Sequence, residues 1–271
     1  MHLFVISYWS KFISSLPIGI FDSGVGGLSV LKAIREIMPN ENLIYLADSL
    51  HTPYGEKSAG FIEQRVHHIA DYLLSLEVKA IVIACNTATA AGVHSLRKNL
   101  DLPIIGLEPA LKPATEFSSR EKVGVLATQA TLDSEKYLTL KQRFLPRVDI
   151  IEKASHLFVN LVETAPQIGK AEMALIAEEL NPFVEAKVDA LVLGCTHYPF
   201  LTEAIKEIVG EEVTLFESAL PVAKEVQRRI EGQRNQSDVK GKVSYYSSAP
   251  DKAKGKFESL LGEKIDLLKF E

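Results

Sequence analysis

Residues 78–87 read Val-Lys-Ala-Ile-Val-Ile-Ala-Cys-Asn-Thr, and residues 188–197 read Val-Asp-Ala-Leu-Val-Leu-Gly-Cys-Thr-His. Val, Ala, Val and Cys coincide without a gap, so a similar segment recurs 110 residues later. Each copy is a short apolar run, typical of a buried parallel strand. The repeat predicts two similar α/β halves, in which Cys85 and Cys195 each follow the carboxyl end of a central strand. Ligands bind at that edge of open α/β sheets.

The repeat could instead arise by chance. Val-x-Ala-Ile/Leu-Val is a common buried-strand string, and cysteine is often simply a buried apolar residue. However, the chain has only two cysteines, and both occupy the same place in the two copies. We therefore interpret Cys85 and Cys195 as functional residues that two facing halves bring into one cleft from opposite sides.

The alternation of apolar strands and amphipathic helices extends outward along most of the chain. Such alternation indicates parallel sheets that are covered by helices on both faces and joined by right-handed crossovers. The predicted strands are 18–21, 43–47, 80–84, 104–107, 122–127, 149–152, 190–194 and 243–246, and the predicted helices are about 28–38, 59–76, 88–99, 133–143, 156–165 and 170–186. The predicted fold class is α/β, with two similar doubly wound parallel-sheet domains that face each other with pseudo-twofold symmetry.

The spacing of the repeat is close to the size of a small domain. We expect a first domain from 17–113 plus 223–271 and a second from 114–222, with the site in the cleft between them. Residues 1–16 are an N-terminal extension of this core. No positive charge precedes their apolar run, Lys11 interrupts it, and no small-x-small cleavage site follows. We therefore expect neither a signal peptide nor a segment that spans a bilayer.

Composition and charge exclude several classes of function. The 271 residues are 46% apolar and 24% charged, as in a globular protein with a well-formed core. The net charge of −5 provides no basic surface for nucleic acid. A chain of this size needs no disulfide to stabilise its core, so we expect reduced thiols and a cytoplasmic protein.

Two thiols on opposite sides of one carbon are suited to inverting its configuration. Both cysteines precede a predicted helix, with Pro199 at a favourable first-turn position after Cys195, and a helix N-terminus is expected to lower the pKa of each thiol. One thiolate can then remove a proton while the other thiol returns a proton to the opposite face. A redox dithiol usually has neighbouring sulfurs, and a metal site at Cys195 and His197 would lack a convincing fourth ligand.

Asp22 and Ser23 close the first predicted strand and begin a glycine-rich turn, Gly24-Val-Gly-Gly27. The dinucleotide-binding pattern needs glycine or alanine at the sixth place counted from Gly24, and this chain has Ser29 there. In addition, Asp22 would face the diphosphate of a bound nucleotide. The turn is therefore interpreted as exposing backbone N–H groups, with Asp22 available for an ammonium group or for proton transfer. The alternative is that Asp22 and Ser23 merely cap the following helix.

Polar residues also follow both thiols. Asn86 and Thr87 come after Cys85, and Thr196 and His197 come after Cys195. Donors of this kind at helix N-termini suit carboxylates, which indicates a small dicarboxylic or zwitterionic substrate. The histidine could assist protonation of the thiol two residues before it, and without that thiol it would be interpreted as a structural residue.

Six motifs, taken together, resemble the glutamate racemase family in order and spacing over about 17–270. They are Asp22-Ser-Gly-Val-Gly-Gly27, Pro53-Tyr-Gly55, Ala84-Cys-Asn-Thr-Ala88, Glu108-Pro-Ala110, Leu161-Val-Glu163 and Leu193-Gly-Cys-Thr-His-Tyr-Pro199. The resemblance implies interconversion of L- and D-glutamate without pyridoxal phosphate, metal or other cofactor. It also implies that D-glutamate supplies peptidoglycan synthesis in a bacterial cytoplasm.

The resemblance further implies a role for individual residues. Cys85 takes the α-proton from D-glutamate and Cys195 takes it from L-glutamate, while Asp22 and His197 assist the thiols and Glu163 lies near the second one. The substrate contacts that it implies are Asp22, Ser23, Tyr54, Gly55, Asn86, Thr87, Thr128, Thr196 and His197. The chain departs from the family at Ser155-His156, where many members carry Cys-Pro, and this departure bears on Glu163 alone.

Two alternatives remain open at this stage. The local patterns Cys-Asn-Thr and Cys-Thr-His would also fit a racemase for aspartate or another small amino acid, and a small-ligand binding protein would use both cysteines only as core residues. The partners we expect are the small-molecule substrate and a second copy in a homodimer, with neither nucleic acid nor membrane. Some family members with an N-terminal extension are activated by a peptidoglycan precursor, which makes such an effector a further hypothesis.

Overall fold

The computed structural model describes residues 14–165 and 167–271. The strands are β1 (Ile18–Asp22), β2 (Leu43–Ala47), β3 (Ala80–Ile83), β4 (Ile104–Gly106), β5 (Lys122–Ala127), β6 (Asp149–Ala154), β7 (Ala190–Leu193), β8 (Thr214–Phe216), β9 (Val243–Ser247) and β10 (Leu267–Lys269). The helices are α1 (Leu28–Ile37), α2 (Ala59–Ser75), α3 (Asn86–Asn99), α4 (Leu111–Phe117), α5 (Gln129–Leu132), α6 (Glu135–Gln142), α7 (Leu157–Thr164), α8 (Lys170–Ala186), α9 (Thr202–Val209), α10 (Ala219–Arg229) and α11 (Pro250–Leu261). Short 3-10 turns lie at Tyr54–Glu56, Tyr198–Leu201 and Glu231–Gln233.

The strands form two sheets in which every paired neighbour is parallel. The first sheet has the order β10-β9-β2-β1-β3-β4, and the second has the order β6-β5-β7-β8. The series β2-β1-β3-β4 therefore has the same topology as the whole second sheet. The register agrees as well, because Phe21 pairs with Ile83 in the first sheet as Leu126 pairs with Leu193 in the second. The predicted α/β class with two similar parallel sheets is confirmed.

Each sheet draws on its own part of the chain. The first takes strands from 18–106 and 243–269, and the second takes strands from 122–216. The predicted boundary at 222 falls inside α10, which packs against α1 beside the first sheet. A continuous helix with one buried apolar face moves as a unit, so we propose that the first half resumes at Ala219 rather than at residue 223.

Burial of the strands determines where polar side chains can emerge. β1, β2, β3 and β7 are buried along their whole length. Helices cover both faces of such sheets, so functional groups collect where the strands end. The carboxyl ends of β1, β3, β5 and β7 are the places where the sequence predicts them.

Three segments near the strand ends differ from the prediction. The helix after Cys85 begins at Asn86 rather than residue 88, because Cys85 is its N-cap residue and Cys85 Sγ accepts a hydrogen bond from Ala88 N at 3.4 Å. The predicted helix 133–143 corresponds to α6, which begins at Glu135 because Ser134 is its N-cap residue, and the short helix α5 before it was not predicted. After Cys195 a 3-10 turn precedes α9, so Cys195 does not cap a helix.

The N-terminal extension, which includes the apolar run that was expected not to be a signal peptide, lies almost entirely outside the described residues. Where the description begins, Ser14 O accepts a hydrogen bond from Lys79 Nζ at 2.7 Å. The same buried ammonium contacts Glu41 Oε2 at 2.6 Å. Among the described residues, no helix combines the length and the apolar character needed to cross a membrane.

Candidate active site

Loops at the carboxyl ends of the two sheets contact each other directly. Val25 N donates a hydrogen bond to Glu163 Oε1 at 2.9 Å. Thr196 Oγ1 lies 3.5 Å from Asp22 Oδ2, and Ser29 Oγ lies 3.3 Å from Thr196 O. The segment after β1 therefore shares one polar centre with the segments around α7 and after β7, which belong to the other half.

The glycine-rich turn makes this close approach possible. A Cβ atom at Gly26 would lie 2.3 Å from His197 Nδ1 and 2.6 Å from Thr196 Oγ1. A Cβ atom at Gly24 would overlap the carboxylate of Glu163. These glycines thus allow the two halves to come into contact.

Replacing Gly26 by alanine is expected to lower the free energy of unfolding by about 1–3 kcal/mol, as overpacking of a tight contact does. Chemical denaturation measures the change. Gly60→Ala is the matched control, because a Cβ atom there would meet nothing within 4 Å. A Gly26→Ala protein as stable as wild type would show that the two halves are not held as closely as described.

Cys85 is the more buried of the two thiols, with 7% of its surface exposed. Besides the hydrogen bond from Ala88 N, its Sγ lies 4.0 Å from Ser23 Oγ. Burial raises the pKa of Cys85 well above the ordinary thiol value, and the charge of Asp22 raises it further. The bond from Ala88 lowers the pKa, and the nearby Cys195 raises it. The predicted lowering of the pKa at this helix N-terminus is therefore wrong, because desolvation outweighs the helix end.

Asp22 lies at the centre of the polar contacts, and its side chain is fully buried. Its Oδ2 accepts a hydrogen bond from Gly27 N at 2.7 Å. The pKa of Asp22 is raised, because burial outweighs the charge of His197 and the bonds from Gly27 and Ser23, which lower it. The bond from Gly27 fits the alternative that Asp22 caps the following helix. The same carboxylate, however, also interacts electrostatically with Cys85 and with His197.

Cys195 is partly exposed and is accompanied by a histidine and a glutamate. His197 Nδ1 lies 3.7 Å from Cys195 Sγ, and His197 Nε2 lies 2.7 Å from Glu163 Oε1. Burial lowers the pKa of His197, but Cys195 and Glu163 raise it more, so that it lies well above 6.5. Burial raises the pKa of Glu163, but His197 and the bond from Val25 lower it more. The three side chains therefore form a chain that can carry a proton to or from the sulfur.

Threonines join the two halves on the other side of the centre. Thr87 Oγ1 lies 3.0 Å from Thr128 Oγ1, and both contact Thr131 Oγ1, at 3.3 Å and 2.9 Å. A Cβ atom at Gly55 would lie 3.1 Å from Thr128 Cβ and from His156 Cε1. The structure thus brings together the predicted residues Thr87, Thr128 and Gly55 from three separate segments.

Asn86 offers an acceptor that the described residues leave unused. Its Oδ1 is buried and has no hydrogen-bond partner among them. Asn86 lines a small cavity together with Cys195 and Thr196. A buried carbonyl without a partner is costly, so this atom is suited to a ligand that donates a hydrogen bond.

A second buried carboxylate, which was not predicted from the sequence, lies at the same edge. Asp48 directly follows β2 and accepts hydrogen bonds from Arg65, Tyr54 and His51. Its position after an apolar strand, like that of Asp22, was the signal that could have revealed it. Nothing in the local sequence around Arg65 indicates that this residue reaches the same place.

The described residues show neither a disulfide nor a cluster of candidate metal ligands. Both cysteines are free rather than bonded to each other. No group of three or more His, Cys, Asp and Glu side chains with the geometry of a metal site occurs within 14–165 and 167–271. His197 also has both ring nitrogens engaged, by Cys195 and Glu163.

Known proteins with similar sequences and structures are racemases. The family model for Asp/Glu/hydantoin racemase matches residues 18–226. A glutamate racemase from Methylococcus capsulatus is 44% identical over 247 residues, which are 90% of this chain and 91% of that protein. The crystal structure of a glutamate racemase isoform from Bacillus anthracis has a TM-score of 0.86 and 29% identity, over 94% of this chain and 97% of that chain.

A further solved structure, Escherichia coli glutamate racemase in complex with L-glutamate and the activator UDP-MurNAc-Ala, has a TM-score of 0.84 and 30% identity. It covers 94% of this chain and 98% of that chain. The family model, the sequence relatives and the shared architecture agree over most of the length. The chain belongs to the Asp/Glu/hydantoin racemase family of isomerases.

Proposed function

We propose that the chain is a cofactor-independent glutamate racemase that uses Cys85 and Cys195 on opposite faces of the substrate α-carbon. One observation carries the proposal: the two thiols follow corresponding strands, β3 and β7, and share one polar centre around Asp22. The glutamate racemase from Methylococcus capsulatus, at 44% identity, supports glutamate as the substrate.

The reaction consists of one proton removed and one proton returned. Following the family resemblance, Cys195 as thiolate takes the α-proton of L-glutamate, and the electron pair is delocalised onto the adjacent carboxylate. Cys85 as thiol then donates its proton to the opposite face, which yields D-glutamate and leaves Cys195 as thiol and Cys85 as thiolate. The raised pKa of Cys85 supports its role as the proton donor in this direction.

The two thiols have different helpers. Cys195 has the His197–Glu163 pair, which is placed to exchange a proton with the sulfur. Cys85 has the hydroxyl of Ser23 and lies within the field of Asp22. The symmetry of the strands therefore supports inversion, while the side chains around them treat the two faces differently.

We assign the predicted polar residues to the substrate by their donor and acceptor groups. The unpartnered Oδ1 of Asn86 and the carboxylate of Asp22 suit the α-ammonium group. The remaining predicted residues supply donors for the two carboxylates. They are the hydroxyls of Ser23, Thr87, Thr128 and Thr196, the segment Tyr54-Gly55, and His197.

The test is a polarimetric assay of the purified protein on L- and D-glutamate and on L- and D-aspartate, without added cofactor. We expect glutamate to be racemised in both directions and aspartate to react much more slowly. Preference for aspartate would favour the related racemase reaction. Absence of deuterium incorporation from heavy water into either amino acid would favour a binding protein and contradict the proposal.

We further propose that the D-glutamate supplies peptidoglycan synthesis in the cytoplasm. The E. coli structure, which contains an activator of the type UDP-MurNAc-Ala, supports a peptidoglycan precursor as effector. Assays with and without this compound test the effector, and light scattering on the eluting protein tests the homodimer.

A further inference from the structure

The buried carboxylate of Asp48 takes part in no step of the proposed reaction, yet it lies next to residues of the proposed site. Asp48 N donates a hydrogen bond to Asp22 O at 3.0 Å, which ties the ends of β1 and β2 together. The side chain of Asp48 is completely buried. A buried carboxylate persists as an anion only where donors replace water.

Three neighbours supply those donors. Arg65 Nε and Nη2 approach the two oxygens of Asp48 at 2.9 Å and 3.0 Å, in the bidentate arrangement specific to arginine. Tyr54 OH donates at 2.6 Å, and His51 Nδ1 lies at 2.9 Å. Burial raises the pKa of Asp48, but the bonds from Arg65, Tyr54 and His51 lower it more, so the carboxylate is charged.

This ion pair fixes a segment of the proposed site. Tyr54 is 1% exposed and begins the 3-10 turn that carries Gly55. Gly55 in turn lies against Thr128 of the second half. Tyr54 and Cys85 belong to one buried cluster, and the 3-10 turn packs against α3, whose N-cap residue is Cys85, so this turn lies on the Cys85 side of the centre.

We propose that Asp48 and Arg65 are positioning residues for racemisation: their ion pair holds Tyr54 and Gly55 so that the substrate α-carbon is aligned with Cys85. The inference rests on the proposed function, and neither residue touches the substrate. Arg65 also makes a cation–π contact, because its guanidinium lies 5.8 Å from the ring centre of Phe270.

The proposal predicts an effect on one face only. If alignment with Cys85 is impaired, proton transfer at Cys85 slows while transfer at Cys195 does not. With D-glutamate deuterated at the α-carbon, the slowed step breaks the labelled bond, so the isotope effect on kcat/KM rises. With labelled L-glutamate, the slowed step comes after the label is lost, so the isotope effect does not rise. The values of kcat/KM in the two directions fall together, because the equilibrium constant is unchanged.

The experiment compares Asp48→Asn, Arg65→Lys and Tyr54→Phe with wild type. Misalignment of this kind is expected to lower kcat/KM by about 10- to 100-fold in the first two variants, and loss of one hydrogen bond to a charged group by about tenfold in the third. Tyr137→Phe is the matched control, because Tyr137 OH likewise donates to a carboxylate, Glu152 Oε1 at 2.5 Å, but on α6 and β6 of the second half. We expect the control to keep wild-type kcat/KM and isotope effects.

Thermal unfolding shows whether each variant is folded, and Tyr54→Phe provides the test if Asp48→Asn and Arg65→Lys are not. Folded variants with kcat/KM within about twofold of wild type, or with isotope effects that rise equally for both enantiomers, would overturn the inference. Failure of the proposed function is distinguishable, because wild type itself would then leave glutamate unchanged.

Discussion

Each of the variants Cys85→Ala and Cys195→Ala is expected to lose racemisation, with kcat/KM below about one hundredth of the wild-type value in both directions. The physical reason is that inversion needs a proton carrier on each face of the α-carbon. Alanine removes the carrier from one face, and the chain has no third thiol to replace it, since Cys85 and Cys195 are its only cysteines. Polarimetry with L- and D-glutamate, without added cofactor, measures the loss.

Two controls separate chemistry from folding. Thermal unfolding of both variants shows whether the fold survives, and a mixture of the two variants is expected to remain inactive, because one chain supplies both thiols of the site. Racemisation above about one hundredth of wild type in either folded variant would contradict the two-thiol assignment.

Glu163→Gln is expected to lower kcat/KM by about 10- to 100-fold, which is the effect typical of groups that orient a reacting side chain. Glu163 Oε1 contacts His197 Nε2 at 2.7 Å and also accepts the hydrogen bond from Val25 N. The amide keeps the size of the side chain but removes the negative charge beside the imidazole. Steady-state kinetics with L-glutamate measure the change.

The same variant has a predicted pH dependence. Burial lowers the pKa of His197, whereas Cys195 and the negative charge of Glu163 raise it. Removing that charge therefore lowers the pKa of His197, so the imidazolium is lost at a lower pH. The alkaline limb of kcat/KM against pH is expected to move to lower pH, and the histidine titration followed by NMR should move in the same direction.

Glu152→Gln is the matched control for this prediction. Glu152 also contacts a cation, Lys141 Nζ at 2.6 Å, but from β6 and away from both thiols. Its pH profile should match that of wild type. An unchanged alkaline limb in Glu163→Gln would show that Glu163 does not control the protonation of His197.

The sequence by itself determined the α/β class and the repeat of the two sheets. Apolar runs alternate with helical patterns, and periodicity of this kind is local, so it can be recognised without coordinates. The repeat also placed Cys85 and Cys195 after corresponding strands, and the apolar run 18–21 placed Asp22 at the end of the first strand. Parallel strands bring their carboxyl ends to one edge, so these residues were expected to meet there. The end of β2 follows the same rule, and Asp48 could have been found there.

Only the tertiary structure decided how these groups act on each other. The contact of Glu163 with His197 joins residues 34 positions apart, and the bond from Val25 to Glu163 spans 138 positions. The raised pKa of Cys85, opposite to the predicted direction, also results from the packing of distant segments around the thiol. Desolvation depends on everything that surrounds a side chain, whereas a helix end is visible in a few residues. Periodicity and strand ends are therefore encoded locally, while burial and charge pairing arise only when distant segments pack together.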